Sequence, residues 1–388
     1  MSPFICDSTL REGEQAAGVS FTVLEKVAIA KALSEAGVDE IEAGIPSAGI
    51  LESDAVSRIA SLDMAATVVG WCRAAKMDID AAANTGVNRV HICIPVSDGL
   101  LETKFGQGRQ WAQSRLRSSI EYARSLNLEV SVGFEDTSRA DDDFVIELAQ
   151  SLLDLGIVRF RFSDSVGILE PFTTFRRCKR LVLEVPIPWE IHSHDDMGLA
   201  TANTLAALKA GFSWANVTVL GMGDRSGVGA LEEVVVAAST LYKEEFNMES
   251  SRLSDLAALV SGAAGRPIPM GKSIVGDGAF SHEAGIHVAA VVRNPSSYEP
   301  FDPLQVGARR RIVLGKHSGR AALRYVLGLA CVEVSEPELV TLLEEVRTQA
   351  SVMKSVVTVD EAVSLLEEIR ARASAQGHLK KKQYEKGA

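Results

Sequence analysis

The sequence predicts an α/β protein: a parallel (β/α)8 TIM barrel followed by a mainly helical C-terminal extension. Three observations carry that expectation. Eight short β-branched runs alternate with helically patterned stretches, several of those stretches stop at a glycine, and polar residues gather just past the ends of the runs.

In order, the expected strands are Phe4 to Asp7, Val38 to Ala43, Thr67 to Trp71, Arg89 to Ile94, Glu129 to Phe134, Val158 to Ser163, Trp189 to His194 and Val217 to Leu220. The runs are mostly apolar, as strands covered by helices on both faces must be. Between them lie helical patterns such as Val23, Val27, Ala30 and Leu33, or Phe144, Leu148 and Leu152. Gly37, Gly86, Gly156 and Gly211 suit left-handed helix stops. A last barrel helix is expected around Leu231 to Phe246 and another helix from Leu253 to Ala264, and Pro267 and Pro269 mark a linker. The expected division is residues 1–262 for the barrel and 263–388 for linker and helical subdomains, with closing helices near Pro337 to Thr348 and Val359 to Ala373.

Composition narrows the function. At 388 residues and 46% hydrophobic content the chain can bury a large core. A net charge of −11 argues against nucleic-acid binding, since the only basic run, Lys380 to Lys382, reads as a solvated tail. Five scattered cysteines without CxxC spacing point to a reducing compartment, and no apolar run is long enough to span a bilayer. A soluble cytoplasmic protein is expected, acting on small molecules with neither membrane nor nucleic acid as partner.

Active sites of such barrels sit where strands pass into βα loops. Arg11, Glu12, Glu42, Arg73, Glu135, Ser163 to Ser165, Glu190 to Asp196 and Gly221 to Gly229 all fall there. Alternation along the seventh strand turns Glu190, His192 and His194 to one side, bringing two imidazoles and a carboxylate together. The two imidazoles with Glu12 compose a candidate site for a divalent cation; zinc, manganese, cobalt and magnesium all remain open. Arg11 suits an anionic substrate bearing a carbonyl, such as a 2-oxo acid. The loop Gly221-Met222-Gly223-Asp224-Arg225 lies where barrels often hold phosphate, so Gly221, Gly223 and Arg225 are candidates for a nucleotide-bearing thioester such as acetyl-CoA.

The segments DSTLREGEQ (Asp7 to Gln15), HSHDDMGLATAN (His192 to Asn203), GMGDRSGVGALEEV (Gly221 to Val234), HEAGIH (His282 to His287) and LGKHSGR (Leu314 to Arg320) resemble the metal-dependent acyl-transferring barrels that include homocitrate, 2-isopropylmalate and citramalate synthases. Within that family the chain looks most like homocitrate synthases of the nitrogen-fixation type. The resemblance implies a Claisen-type condensation of acetyl-CoA with a 2-oxo acid, most simply 2-oxoglutarate, followed by thioester hydrolysis. It implies Glu12, His192 and His194 as metal ligands, Arg11, Glu190 and His287 as catalytic groups, and Gln15, Glu42 and Ser165 in the substrate pocket. It also implies a homodimer in which the HEAGIH segment reaches the partner's site. Leucine feedback of the kind that an extra domain carries in many 2-isopropylmalate synthases is not expected.

Some positions depart from the family pattern. The loop Ser97 to Leu101 lacks the arginine or histidine that relatives use there, with Leu101 at the arginine's place. The aromatic hydroxyl expected beside the HEAGIH histidine falls at Arg311, with Tyr298 nearby. Other 2-oxo acids therefore stay open as substrates, and carbon–carbon cleavage, nicotinamide chemistry and a non-catalytic role are the competing readings.

Overall fold

A computed structural model describes residues 2–385, with side chains through 376; the Lys380 to Lys382 side chains lie outside the described residues. Eight parallel strands close into a barrel in sequence order: β1 (Phe4–Asp7), β2 (Glu40–Gly44), β3 (Thr67–Arg73), β4 (Arg89–Pro95), β5 (Glu129–Glu135), β6 (Phe160–Asp164), β7 (Trp189–Ser193) and β8 (Trp214–Val217). Between and after them run α1 (Val23–Glu35), α2 (Ile50–Ala60), α3 (Lys76–Ala83), α4 (Asp98–Phe105), α5 (Arg109–Ser125), α6 (Asp142–Gln150), α7 (Pro171–Glu184), α8 (Ala200–Ala210), α9 (Leu231–Ala237) and α10 (Leu253–Ala264). The four expected stop glycines all have positive φ, from 64° to 112°, which a side chain would strain.

The eighth strand is displaced from its expected place. It runs Trp214–Val217, with Trp214 stacked on Phe4, and Val219–Gly221 form a 3-10 turn instead. Closure requires pairing with β1, and Phe4 to Asp7 align with Trp214 to Val217. The partner strand's register outweighed the β-branched run that suggested 217–220.

The barrel's faces are also unusual. Phe134, Phe160 and Trp189 stack on one another beneath the helices, which turns Arg159 and Arg161 of the same alternating run inward. The interior layer is therefore built of arginines and glutamates rather than branched aliphatics.

The compact units divide near residue 270, with Met1–Pro269 and Ser273–Val275 in the first and Met270–Lys272 and Gly276–Ala388 in the second. The division falls several residues past 262–263, because α10 and its stop at Gly265 belong with the barrel. The second unit carries β9 (Ser281–His282) paired with β10 (Arg311–Ile312), then α11 (Gly285–Val291), α12 (Arg320–Leu329), α13 (Glu336–Met353) and α14 (Val359–Glu385). Leu323, Val326, Leu339, Leu342, Val346 and Leu366 form its core. Among the described residues, no helix is long and apolar enough to cross a membrane.

Candidate active site and metal centre

Strands β1 and β7 deliver three ligand groups to one point. The Nε2 atoms of His192 and His194 stand 3.2 Å apart, and the Glu12 carboxylate lies 4.0 Å from the first and 3.9 Å from the second. His192 Nδ1 donates to Asn216 Oδ1 at 2.6 Å. The Asn216 amide is oriented by its donation to Cys6 Sγ at 3.2 Å, so Nε2 of His192 keeps its lone pair. Burial, reinforced by His194, pushes the His192 pKa down to about 3, and burial lowers that of His194 against the pull of Glu12. Burial would raise Glu12, yet Arg11 and the imidazoles outweigh it and hold the carboxyl below its ordinary range.

With its lone pair on Nε2, His192 can accept from His194 Nε2 at this distance, and a cation at the same point would take a lone pair from each imidazole. The separation suits two adjacent ligands of one ion, which stand about 3.0 to 3.4 Å apart for ion–nitrogen bonds of about 2.1 Å. The donor set therefore fits a divalent metal.

Around this point the structure assigns the remaining residues. Arg11 is ion-paired with Glu12 and binds Glu42 through Nε at 3.0 Å and Nη2 at 2.9 Å. The cavity that opens over the triad has a volume of about 1020 Å³ and is lined by Arg11, Glu12, Gln15, Ser165, His192 and His194. Seven cationic and four anionic side chains line it, on a chain that is acidic as a whole.

Three of the expected groups stand behind the cavity wall or are already engaged with neighbouring residues. Glu190 shares the inward face of β7 but sits one strand step deeper, opposite Arg161, and is fully buried. Arg159 and Arg161 take its two oxygens, and it is not part of the cavity wall. Alternation fixes the face of a side chain, not its depth. Glu42 is likewise absent from the wall: it accepts from Ser8 at 2.6 Å, from Arg11 and from Arg161. The glycine loop packs against Glu12. A Cβ on Gly223 would stand 3.3 Å from Glu12 Cγ, and Asp224 N donates to Glu12 Oε1 at 3.2 Å. A Cβ on Gly221 would meet the Val228 carbonyl at 2.9 Å, while Arg225 is committed to Asp196 and Asp224.

Residues missed in the sequence include Arg161, Asn216, Trp71 and His91. His91 is buried in the wall with Nδ1 2.9 Å from Ser131 Oγ and Nε2 unpartnered, and burial, aided by Arg161, depresses its pKa. The alternation of Arg159 and Arg161 with Phe160 and Phe162 was the available signal for Arg161.

In the second unit His287 is exposed on α11 and lies against Tyr298, ring centroids 4.2 Å apart. Tyr298, not Arg311, is thus the aromatic partner; Arg311 lies on β10 with its guanidinium 4.0 Å from Asp277.

Comparison with known proteins identifies the family. The profile described as HMGL-like matches residues 2–260, and that of the homocitrate synthase post-HMGL domain matches residues 274–354. The chain is 53% identical to a homocitrate synthase of Frankia alni over 322 residues, 83% of this chain and 92% of that protein. This chain belongs to the homocitrate and 2-isopropylmalate synthase family. It is an enzyme of the acyltransferase type, and the family reaction condenses acetyl-CoA with a 2-oxo acid in a metal-dependent manner. A 2-isopropylmalate synthase of Caldanaerobacter subterraneus is 43% identical over 351 residues, 90% of this chain and 91% of that protein. The crystal structure of a Bacillus subtilis HMG-CoA lyase superposes with a TM-score of 0.61 at 20% identity, covering 69% of this chain and 95% of the lyase, which shows the shared barrel.

Proposed function

We propose that this family member condenses acetyl-CoA with 2-oxoglutarate and hydrolyses the resulting thioester, releasing homocitrate and CoA. The observation that carries the reaction is the meeting of Glu12, His192 and His194 beside Arg11 at the floor of an electropositive cavity. The 53% identity to a homocitrate synthase, against 43% to a 2-isopropylmalate synthase, favours the dicarboxylic substrate.

Glu12, His192 and His194 would hold a zinc, manganese, cobalt or magnesium ion, which when bound supplies electrophilic polarisation of the substrate ketone. Arg11 spends three of its five N–H groups on Glu42 and Glu12, leaving two for the oxygen that gains charge as the carbon–carbon bond forms. Glu42 and Arg161 keep that guanidinium in place, and Glu190 acts through Arg161 rather than on the substrate. Gln15 and Ser165 contribute polar contacts from the wall. Proton removal from the acetyl methyl falls to His287, paired with Tyr298 and supplied by a second copy of the chain in a cytoplasmic homodimer.

A second reading keeps the reaction and changes the acid. Leu101 is fully buried and absent from the wall, so that loop position offers no cation to a distal carboxylate. Lys104, three residues on, does line the cavity but is paired with Glu135 at 2.6 Å. Release of CoA against a panel of 2-oxo acids decides: the highest kcat/KM is expected with 2-oxoglutarate, and turnover confined to 2-oxoisovalerate or pyruvate would remove the homocitrate assignment.

A further inference from the structure

A cavity of about 1020 Å³ is large for a compact 2-oxo acid and is of the size that takes a drug-sized ligand. The excess is chemically distinctive on the wall built by the β3–α3 loop, α4 and α5. Phe105 at the end of α4 and Trp111 in the first turns of α5 lie together, ring centroids 4.8 Å apart at 35°, and Phe105 remains 45% exposed. Lys76 and Arg115 line the same cavity.

These two cations differ from the other basic residues of the wall. Arg73 is held in a two-pronged pair by Asp78, Lys104 by Glu135, Arg225 by Asp196 and Asp224, and Arg11 and Arg161 by buried glutamates. The Lys76 ammonium rests over the Tyr122 ring at 4.6 Å, and Arg115 donates through Nε to the Ala74 carbonyl at 2.6 Å. Among the described residues neither is paired with a carboxylate. That anchoring fixes the Arg115 guanidinium while leaving its terminal amino groups for a ligand.

An aromatic platform beside two cations free of carboxylates is the chemistry that recognises a nucleotide: a planar base stacks on the rings and its phosphates meet the charges. We propose that Phe105, Trp111, Lys76 and Arg115 form the subsite for the adenine nucleotide of acetyl-CoA, with the pantetheine arm running down the cavity to the triad. The inference rests on the acetyl-CoA reading above, and it moves the nucleotide away from the Gly221 to Arg225 loop, whose groups are already committed to Glu12, Asp196 and Asp224.

The test compares acetyl-CoA with acetyl-pantetheine, which lacks the nucleotide. In the wild type, kcat/KM for acetyl-CoA exceeds that for the truncated thioester; in Lys76→Ala/Arg115→Ala the ratio falls by about tenfold or more, through KM for acetyl-CoA, and the salt dependence of that KM shrinks. Added CoA quenches tryptophan emission in the wild type and loses that quenching in Trp111→Phe. A ratio that the double variant leaves unmoved, quenching retained in Trp111→Phe, or an equal loss from Arg225→Ala instead overturns the subsite while leaving the condensation intact. A wild-type protein that turns over neither thioester removes the acetyl-CoA reading, and the subsite with it.

Discussion

Two clusters inside the same barrel could each be taken for a metal site. Glu12, His192 and His194 converge at the mouth, Cys6, Glu40 and Glu190 in the layer below, and in each cluster the ligand atoms lie within 4.8 Å of one another. They differ in charge balance. Below, Glu40 is already paired with Arg159 and Arg89, Glu190 with Arg159 and Arg161, and burial together with Glu190 raises the Cys6 thiol well above its usual pKa, so it stays protonated. At the mouth burial favours the neutral form of both imidazoles, their Nε2 atoms meet beside Glu12, and the cavity opens onto them. Proximity of ligand types does not make a metal site; unspent lone pairs and access do.

The sharpest way to break that contrast is His192→Ala. CoA release should fall on the order of a thousandfold, with one equivalent of bound metal lost by elemental analysis and the fold retained by circular dichroism. Metal retained in full stoichiometry would mean that the mouth cluster is not the site. The deep cluster should respond the opposite way. Glu40→Gln leaves Arg159 short of a partner and should cost about 3–5 kcal/mol in urea unfolding, while metal content per folded molecule stays unchanged.

Asp7 sharpens the role of the arginines. Like Glu40 and Glu42 it is fully buried, but it has only Thr9 to donate to it, and burial pushes its pKa up to about 7. The folded state therefore prefers the protonated form: that stability is fully present below the unfolded value of about 3.9 and is lost as pH rises through about 7. Asp7→Asn should flatten the fall in stability between roughly pH 4 and 7 and raise stability at pH 8 by at most about 4 kcal/mol. An unchanged slope in thermal melts across that range would place the titration elsewhere. The smallest effect is expected at Asn216, which sets the His192 tautomer. Asn216→Ala should weaken metal binding by about 10–100-fold in a chelator competition without unfolding the barrel, and unaltered affinity would show that the amide is not needed to orient the ring.

Much of this was legible in the chain. Glycine stops, alternating strand and helix patterns and the DSTLREGEQ and HSHDDMG segments gave the barrel, its open end and the three side chains that meet there, because those features depend on local conformation and on side-chain identity at one strand end. Tyr298 was read only as a neighbour of the position that falls at Arg311, and the inward turn of Arg159 and Arg161 was not read there. Both depend on what other segments place opposite: the stacking of Phe160 with Phe134 and Trp189 on the helix side of the barrel settles which way the arginines face.

By itself, then, the order of residues determined the repeating unit, the closing of eight strands and the identity of the groups at the mouth, since periodicity and turn chemistry act within a few residues. Only the tertiary structure decided depth and commitment. It set Glu190 a layer beneath the imidazoles, gave Glu42 to Arg11 and folded Gly223 against Glu12. A charged side chain's function depends on which opposite charge reaches it first, and that is fixed by strands more than a hundred residues apart being brought side by side, as with Glu42 and Arg161.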